Sequence, residues 1–239
     1  MATIRLIPQS ETLKVKAINH LETRFNEHDT SNGIHGALFP KHIRGLICGP
    51  SGSGKTNLVF TILTEKNGLF YSNIYILSKS LEQTKYKLLK AIFDKVGGLK
   101  SKFIRNSEEL PTVEECPPNT VIIIDDVLCL KEDKNKLRSY YCFGRHKNIC
   151  LIYLYQTYTH IEKHLFWDNA NFIILFQQDD TNLQHVYQDH LNSVCSFDTF
   201  KSLCNMCWKE EFGFITIVKE KDINNGKLRK GLDQFITFA

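Results

Sequence analysis

The chain has 239 residues, 42% hydrophobic and 23% charged, with a formal net charge of +4. That length suits one α/β domain with extensions and a substantial core. No run approaches the ~20 apolar residues of a membrane-spanning helix, and no long apolar region follows Arg5, so neither a membrane partner nor a secretory leader is expected.

Residues 1–40 read as an N-terminal extension, with short apolar alternations at Ile4–Ile7 and Leu13–Ile18 and a polar stretch around Asn26–Gly33. Residues 41–220 read as the core. Ile43–Cys48 is its first strand, and Gly49-Pro-Ser-Gly-Ser-Gly-Lys-Thr56 follows. This segment fits the phosphate-loop (Walker A) pattern G-x-x-x-x-G-K-[ST] at every fixed position. Polyphosphate needs a tight ring of backbone N–H donors, which glycines permit. Gly49, Pro50, Ser51, Gly52, Ser53, Gly54, Lys55 and Thr56 are therefore the candidate ATP-binding residues, with Lys55 reaching the β- and γ-phosphates and the Thr56 hydroxyl on Mg2+. The next apolar-periodic run, Lys55–Lys66, reads as a helix whose positive end faces the same phosphates.

Asn73–Ser78 reads as a strand, Gln83–Val96 as a helix and Ser101–Ile104 as a short strand. Thr120–Ile124 is β-branched and very apolar, which suits a sheet covered on both faces. It runs into Asp125-Asp126. Two adjacent carboxylates at a strand end are costly unless a cation offsets them. Asp125 would orient Mg2+ through its water shell, and Asp126 would orient or deprotonate the attacking water (a Walker B arrangement). The alternative is that Asp126 caps the next helix.

Lys131–Phe143 reads as a helix, Ile149–Tyr155 and Asn171–Phe176 as strands, and Phe212–Val218 as the last core strand. Two or three helices are expected between Thr181 and Trp208. Strands alternating with helices imply a parallel sheet with ligands at the strands' carboxyl ends. Gln156 ends the Ile149–Tyr155 strand. In the additional-strand class of P-loop ATPases that strand lies between the phosphate-loop and acidic strands, and Gln156 would sense the γ-phosphate. Arg145 precedes the same strand, roughly 23 Å away at ~3.3 Å per residue. It would reach a neighbouring subunit's nucleotide in trans, or be a surface or DNA-facing arginine.

Eight scattered cysteines, several inside apolar runs, fit reduced core thiols of an intracellular protein. Cys204 and Cys207 form a lone C-x-x-C, with Cys195, His185 and His190 upstream; the readings are packed thiols or a zinc site. Lys85, Lys87, Lys90, Lys95, Lys100, Lys102 and Arg105 make a basic segment opposed only by Asp94, and Lys227, Arg229 and Lys230 mark residues 221–239 as a basic C-terminal tail. Each is either a phosphate-attracting patch or a solvated face.

The segments Gly49–Thr56, Asn73–Tyr86, Val121–Asp126, Gly144–Tyr158 and Asn169–Phe176, in this order and spacing, resemble the DNA-packaging ATPases of large DNA viruses, virophages and Polinton/Maverick-type elements, a branch of the FtsK–HerA superfamily. The resemblance spans roughly residues 43–176. It implies a RecA-like P-loop fold of the additional-strand class and a homo-oligomeric, hexamer-type ring. It further implies ATP and Mg2+ as cofactors and sequence-independent movement of double-stranded DNA into a capsid. Partners at a capsid vertex or among other virion proteins, and a nuclear, cytoplasmic or virion-associated location, follow from it. It places Mg2+ and hydrolysis at Asp125 and Asp126 and sensing at Gln156. Many relatives carry Glu where this chain has the shorter Asp126. Two other functions remain open at this stage: an ATP-dependent DNA-binding assembly switch without pumping, and a small P-loop kinase, although no Arg-rich lid is visible.

Overall fold

The computed structural model describes residues 4–14, 35–125, 127, 131–158, 166 and 168–238. Among the described residues, ten strands form one sheet. They are β1 (Ile4–Pro8), β2 (Arg44–Cys48), β3 (Asn73–Ser78), β4 (Lys100–Ile104), β5 (Thr120–Asp125), β6 (Ile149–Tyr155), β7 (Phe172–Leu175), β8 (Ile215–Val218), β9 (Leu228–Lys230) and β10 (Gln234–Phe238). Five α-helices among the described residues accompany them: α1 (Lys55–Thr64), α2 (Thr84–Phe93), α3 (Lys131–Phe143), α4 (Asp180–His190) and α5 (Phe197–Cys207). The strand order is β1-β10-β9-β8-β7-β2-β6-β5-β3-β4.

The half from β7 to β4 is parallel throughout. Its inner strands β5, β6 and β7 are apolar at successive positions because helices cover both faces. Period-two alternation sorts the side chains. Ile47, Val121, Ile123, Ile152 and Ile174 join one cluster with Leu58, Val59, Ile62, Leu89 and Ile92 of α1 and α2. Leu46, Ile122, Ile124, Leu151 and Ile173 join the other, with Leu137, Leu183, Phe200 and Leu203 of α3, α4 and α5. The strand β6 lies between β2 and β5, parallel to both. This is the order of the additional-strand class of P-loop NTPases, and the expected mostly parallel α/β fold is the one observed.

The other half of the sheet is antiparallel and departs from the expectation. The core does not close at Val218. Residues read as a basic tail form β9 and β10, and Ile4–Pro8 of the extension pairs along β10. Arg229, counted as a surface charge, is 1% exposed. Its guanidinium donates to the carbonyls of Gly226 (2.9 Å), Leu38 (2.7 Å) and Leu232 (3.1 Å) and lies 4.5 Å from the Phe235 ring centroid. A delocalised fork with several donors can end three loops at once, and carbonyl dipoles plus a ring face offset the loss of water. Lys230 pairs with Glu210 at 2.5 Å. Local charge counting therefore mistakes a structural arginine for a solvated one.

His35 makes a second long-range tie. The Phe70 N–H donates to its Nδ1 (3.0 Å), so the proton sits on Nε2, which donates to the Cys150 sulfur (3.1 Å). Burial first, then the charge of His42, lowers the His35 pKa to about 4.

Two outcomes follow for stability. Arg229→Met should leave three buried carbonyls without their charged donor and lower stability by about 3 kcal/mol; an unchanged urea midpoint would contradict this. Below pH 6.5 the unfolded chain takes up a proton that folded His35 refuses, so stability should fall with pH in the window from 6.5 towards 4. The His35 share of that loss is about 2 kcal/mol at pH 5. Urea titrations at pH 8 and pH 5 should show a shallower decline in His35→Gln than in the parent, and equal declines would remove His35 as the cause.

Candidate nucleotide site

The loop at Gly49–Thr56 leaves the carboxyl end of β2 and is pinned on both sides. The Gly49 N–H donates to Tyr155 O (3.0 Å), and the Phe176 N–H donates to Cys48 O (2.8 Å). A Cβ on Gly49 would lie 2.6 Å from both Phe176 Cβ and Ser53 Oγ. Gly54 has φ +106°, and a Cβ there would lie 2.6 Å from Phe212 Cδ1. These two glycines let the loop curl tightly beneath two aromatic side chains. Gly54 is the N-cap of α1, and its carbonyl accepts the first helical hydrogen bond, from Leu58 N (2.9 Å). Nothing acidic occupies the first turn of α1, so its N-terminal dipole faces the loop unopposed by its own residues.

The Lys55 ammonium donates to the carbonyls of Gly49 (2.6 Å) and Pro50 (3.0 Å), inside the curl. Ser53 Oγ is buried with no hydrogen-bond partner. An ammonium and an orphaned hydroxyl in one glycine-rich loop are a donor set suited to an anionic oxygen.

Next to the loop lies a cleft of about 280 Å³, lined by Ser51, Gly52, Gly54, Lys55, Thr56, Asp125 and Gln156. Sheet register brings these residues together. Cys48 stands opposite Tyr155, and Asp125 opposite Leu154. Gly49 and Gln156 therefore leave adjacent strands side by side, with Asp125 on the strand beyond. Thr56 and Asp125 offer the hard oxygen donors that Mg2+ prefers. Asp126 lies outside the described residues.

Arg145 is not part of this cleft. It sits in a 3₁₀ turn, Gly144–Lys147, before the amino end of β6, and is exposed. The opposite end of that strand leads into Gln156. Cys204 and Cys207 are fully buried on α5. Burial raises both thiols, Cys207 to about 12, so they are neutral packing groups. Among the described residues, no three His, Cys, Asp or Glu side chains converge as a metal site. Within the basic segment, Lys87, Lys90, Lys95, Lys100 and Lys102 are exposed. Lys85 instead lines the cleft, and Arg105 pairs with Glu82.

The sequence reading assigned no role to Tyr86, Ser80 or Gln83. Ser80 and Gln83 line the cleft. Tyr86, on the buried face of α2, donates its hydroxyl to Asp125 Oδ2. Burial, the Asp125 charge and that hydrogen bond raise its pKa far above the usual range, so the phenol stays a donor. Its sole signal in the sequence is one aromatic among the lysines of α2, which reads equally well as a core residue.

Gly54→Ala tests the loop geometry. The added methyl meets Phe212 at a φ that side chains avoid, and the cost should be about 1–3 kcal/mol. A denaturation midpoint equal to the parent's would show that the loop is not held in this shape.

Neither a protein-family model nor a curated protein matches the chain. Solved structures do. The genome packaging NTPase B204 from Sulfolobus turreted icosahedral virus 2 in complex with AMP aligns with a TM-score of 0.53 at 14% identity, covering 80% of this chain and 98% of that one. The same NTPase with AMPPCP aligns with a TM-score of 0.51 at 15% identity, covering 83% and 98%. With sulfate, the TM-score is 0.52 at 15% identity, covering 83% and 97%. At such identities the likeness is one of fold, and the fold shared by this chain and the packaging NTPase is that of a P-loop NTPase.

Proposed function

We propose that this chain is a Mg2+-dependent ATPase of the FtsK–HerA type that moves double-stranded DNA into a capsid as a homo-oligomeric ring. The carrying observation is the convergence of Lys55, Thr56, Asp125 and Gln156 on one cleft, with β6 between β2 and β5. The fold likeness to a protein described as a genome packaging NTPase supports the same reading.

In this reading the loop amides and Lys55 hold the phosphates, since phosphate oxygens are stronger charge-assisted partners for the ammonium than the two carbonyls it now contacts. Thr56 and Asp125 would hold Mg2+, which supplies charge neutralisation to the phosphates. Asp126 orients the attacking water, and Gln156 reports the γ-phosphate. Arg145, on the far end of the sheet, acts on a neighbouring subunit's nucleotide. The exposed lysines of α2 and β4 grip the DNA backbone without reading sequence. β4 ends the sheet, so its Lys100 and Lys102 also discourage edge-to-edge pairing, and both roles suit the same charges.

ATP hydrolysis measured with and without duplex DNA tests this reading. The full chain should hydrolyse ATP only with Mg2+, and duplex DNA should stimulate it, with the stimulation falling steeply as salt rises. Lys55→Ala should lower turnover by about 10²-fold or more. Tight ATP binding with negligible turnover, even with DNA and in the oligomer, would replace the motor with an assembly switch. Turnover that survives Lys55→Ala would remove the loop from the mechanism.

A further inference from the structure

The nucleotide reading accounts for Asp125 as a metal residue but not for what holds it. Asp125 is 8% exposed at the end of β5. A carboxylate there turns about its own bond unless something fixes one oxygen. Tyr86 does so by donating its hydroxyl to Oδ2. The end of β5 and the first turn of α2 thus meet at one hydroxyl.

The ring cannot swing freely. Tyr86 is 1% exposed and packs in the cluster that holds Ile74, Ile76, Leu89 and Ile92. Ser78 stands opposite Asp125 in the sheet register, so the two side chains begin from paired backbone positions. A stiff aromatic arm, clamped in the core, therefore ends on one oxygen of the carboxylate.

We propose that Tyr86 is a positioning residue for the divalent cation: its hydroxyl holds Asp125 in the orientation the metal meets. This rests on the nucleotide reading. Hydrogen-bonding partners of a ligating carboxylate typically change metal affinity by about 10–100-fold when removed. The ring itself stays in place when only the hydroxyl is lost, so Tyr86→Phe isolates the effect.

The test is binding, not turnover. A fluorescent ATP analogue is titrated onto the full chain in EDTA and then across a Mg2+ series. Tyr86→Phe should raise the Mg2+ midpoint about tenfold or more and leave the metal-free affinity within about twofold. Tyr71→Phe is the control: Tyr71 is another buried tyrosine, and its hydroxyl donates to Leu63 O at 2.7 Å, away from the cleft lining. It should keep the parent midpoint. An unchanged midpoint in Tyr86→Phe, or an equal shift in Tyr71→Phe, overturns the proposal and leaves the nucleotide reading intact. If the parent chain itself binds no analogue, the nucleotide reading falls and takes this proposal with it. Should Tyr86→Phe not fold, Tyr86→Met also removes the hydroxyl while filling the buried site with an apolar side chain; the same rise in midpoint is expected, and none overturns the assignment.

Discussion

The pairing of β6 between β2 and β5 is the constraint on which the rest depends. Its register sets Cys48 against Tyr155 and Asp125 against Leu154. The glycine-rich loop, the acidic strand end and Gln156 then emerge together at the carboxyl ends of three neighbouring strands. A slip of one residue would turn every side chain of β6 to the opposite face and exchange the apolar sets of the two cores. The long apolar runs of β2, β5 and β6 hold that register, because each face has its own helices to satisfy. Hydrophobic burial on two sides is what aims the polar residues at the end.

Buried polar groups tie the distant parts of the chain together, and each has at least one partner far away in sequence. Arg229 donates to Leu38 O across 191 positions. His35 bridges Phe70 and Cys150. Tyr86 reaches Asp125 from a different layer. Desolvating such groups is costly, and each placement is tolerable because directional partners are already fixed by the sheet. The same partners give the fold specificity that apolar packing alone does not supply.

Local pattern carried much of this. Asn73–Ser78, Lys131–Phe143 and Ile149–Tyr155 have the same bounds in sequence and structure. The insertion of β6 followed from motif order, and the glycine-rich loop from spacing alone. Where local pattern failed, the cause was long range. Ile4–Pro8 and Gln234–Phe238 are short strands with little burial of their own, and each is defined by its pairing with the other. Arg229 looks like any surface arginine until three carbonyls and a ring surround it. Tyr86 looks like a core aromatic because its ring is one, and only its oxygen has a second task. Helix bounds came out a few residues too long at α1 and α2, where capping geometry rather than periodicity ends the helix.

The central claim is that a magnesium-bound triphosphate sits where Lys55, Thr56, Asp125 and Gln156 converge. An experimental structure of the full chain with a non-hydrolysable ATP analogue and Mg2+ tests it most directly. The account predicts phosphate density inside the curl of residues 49–56 and a metal between the Thr56 hydroxyl and Asp125. Saturating ligand with that cleft empty, or a nucleotide held elsewhere on the molecule, would contradict it.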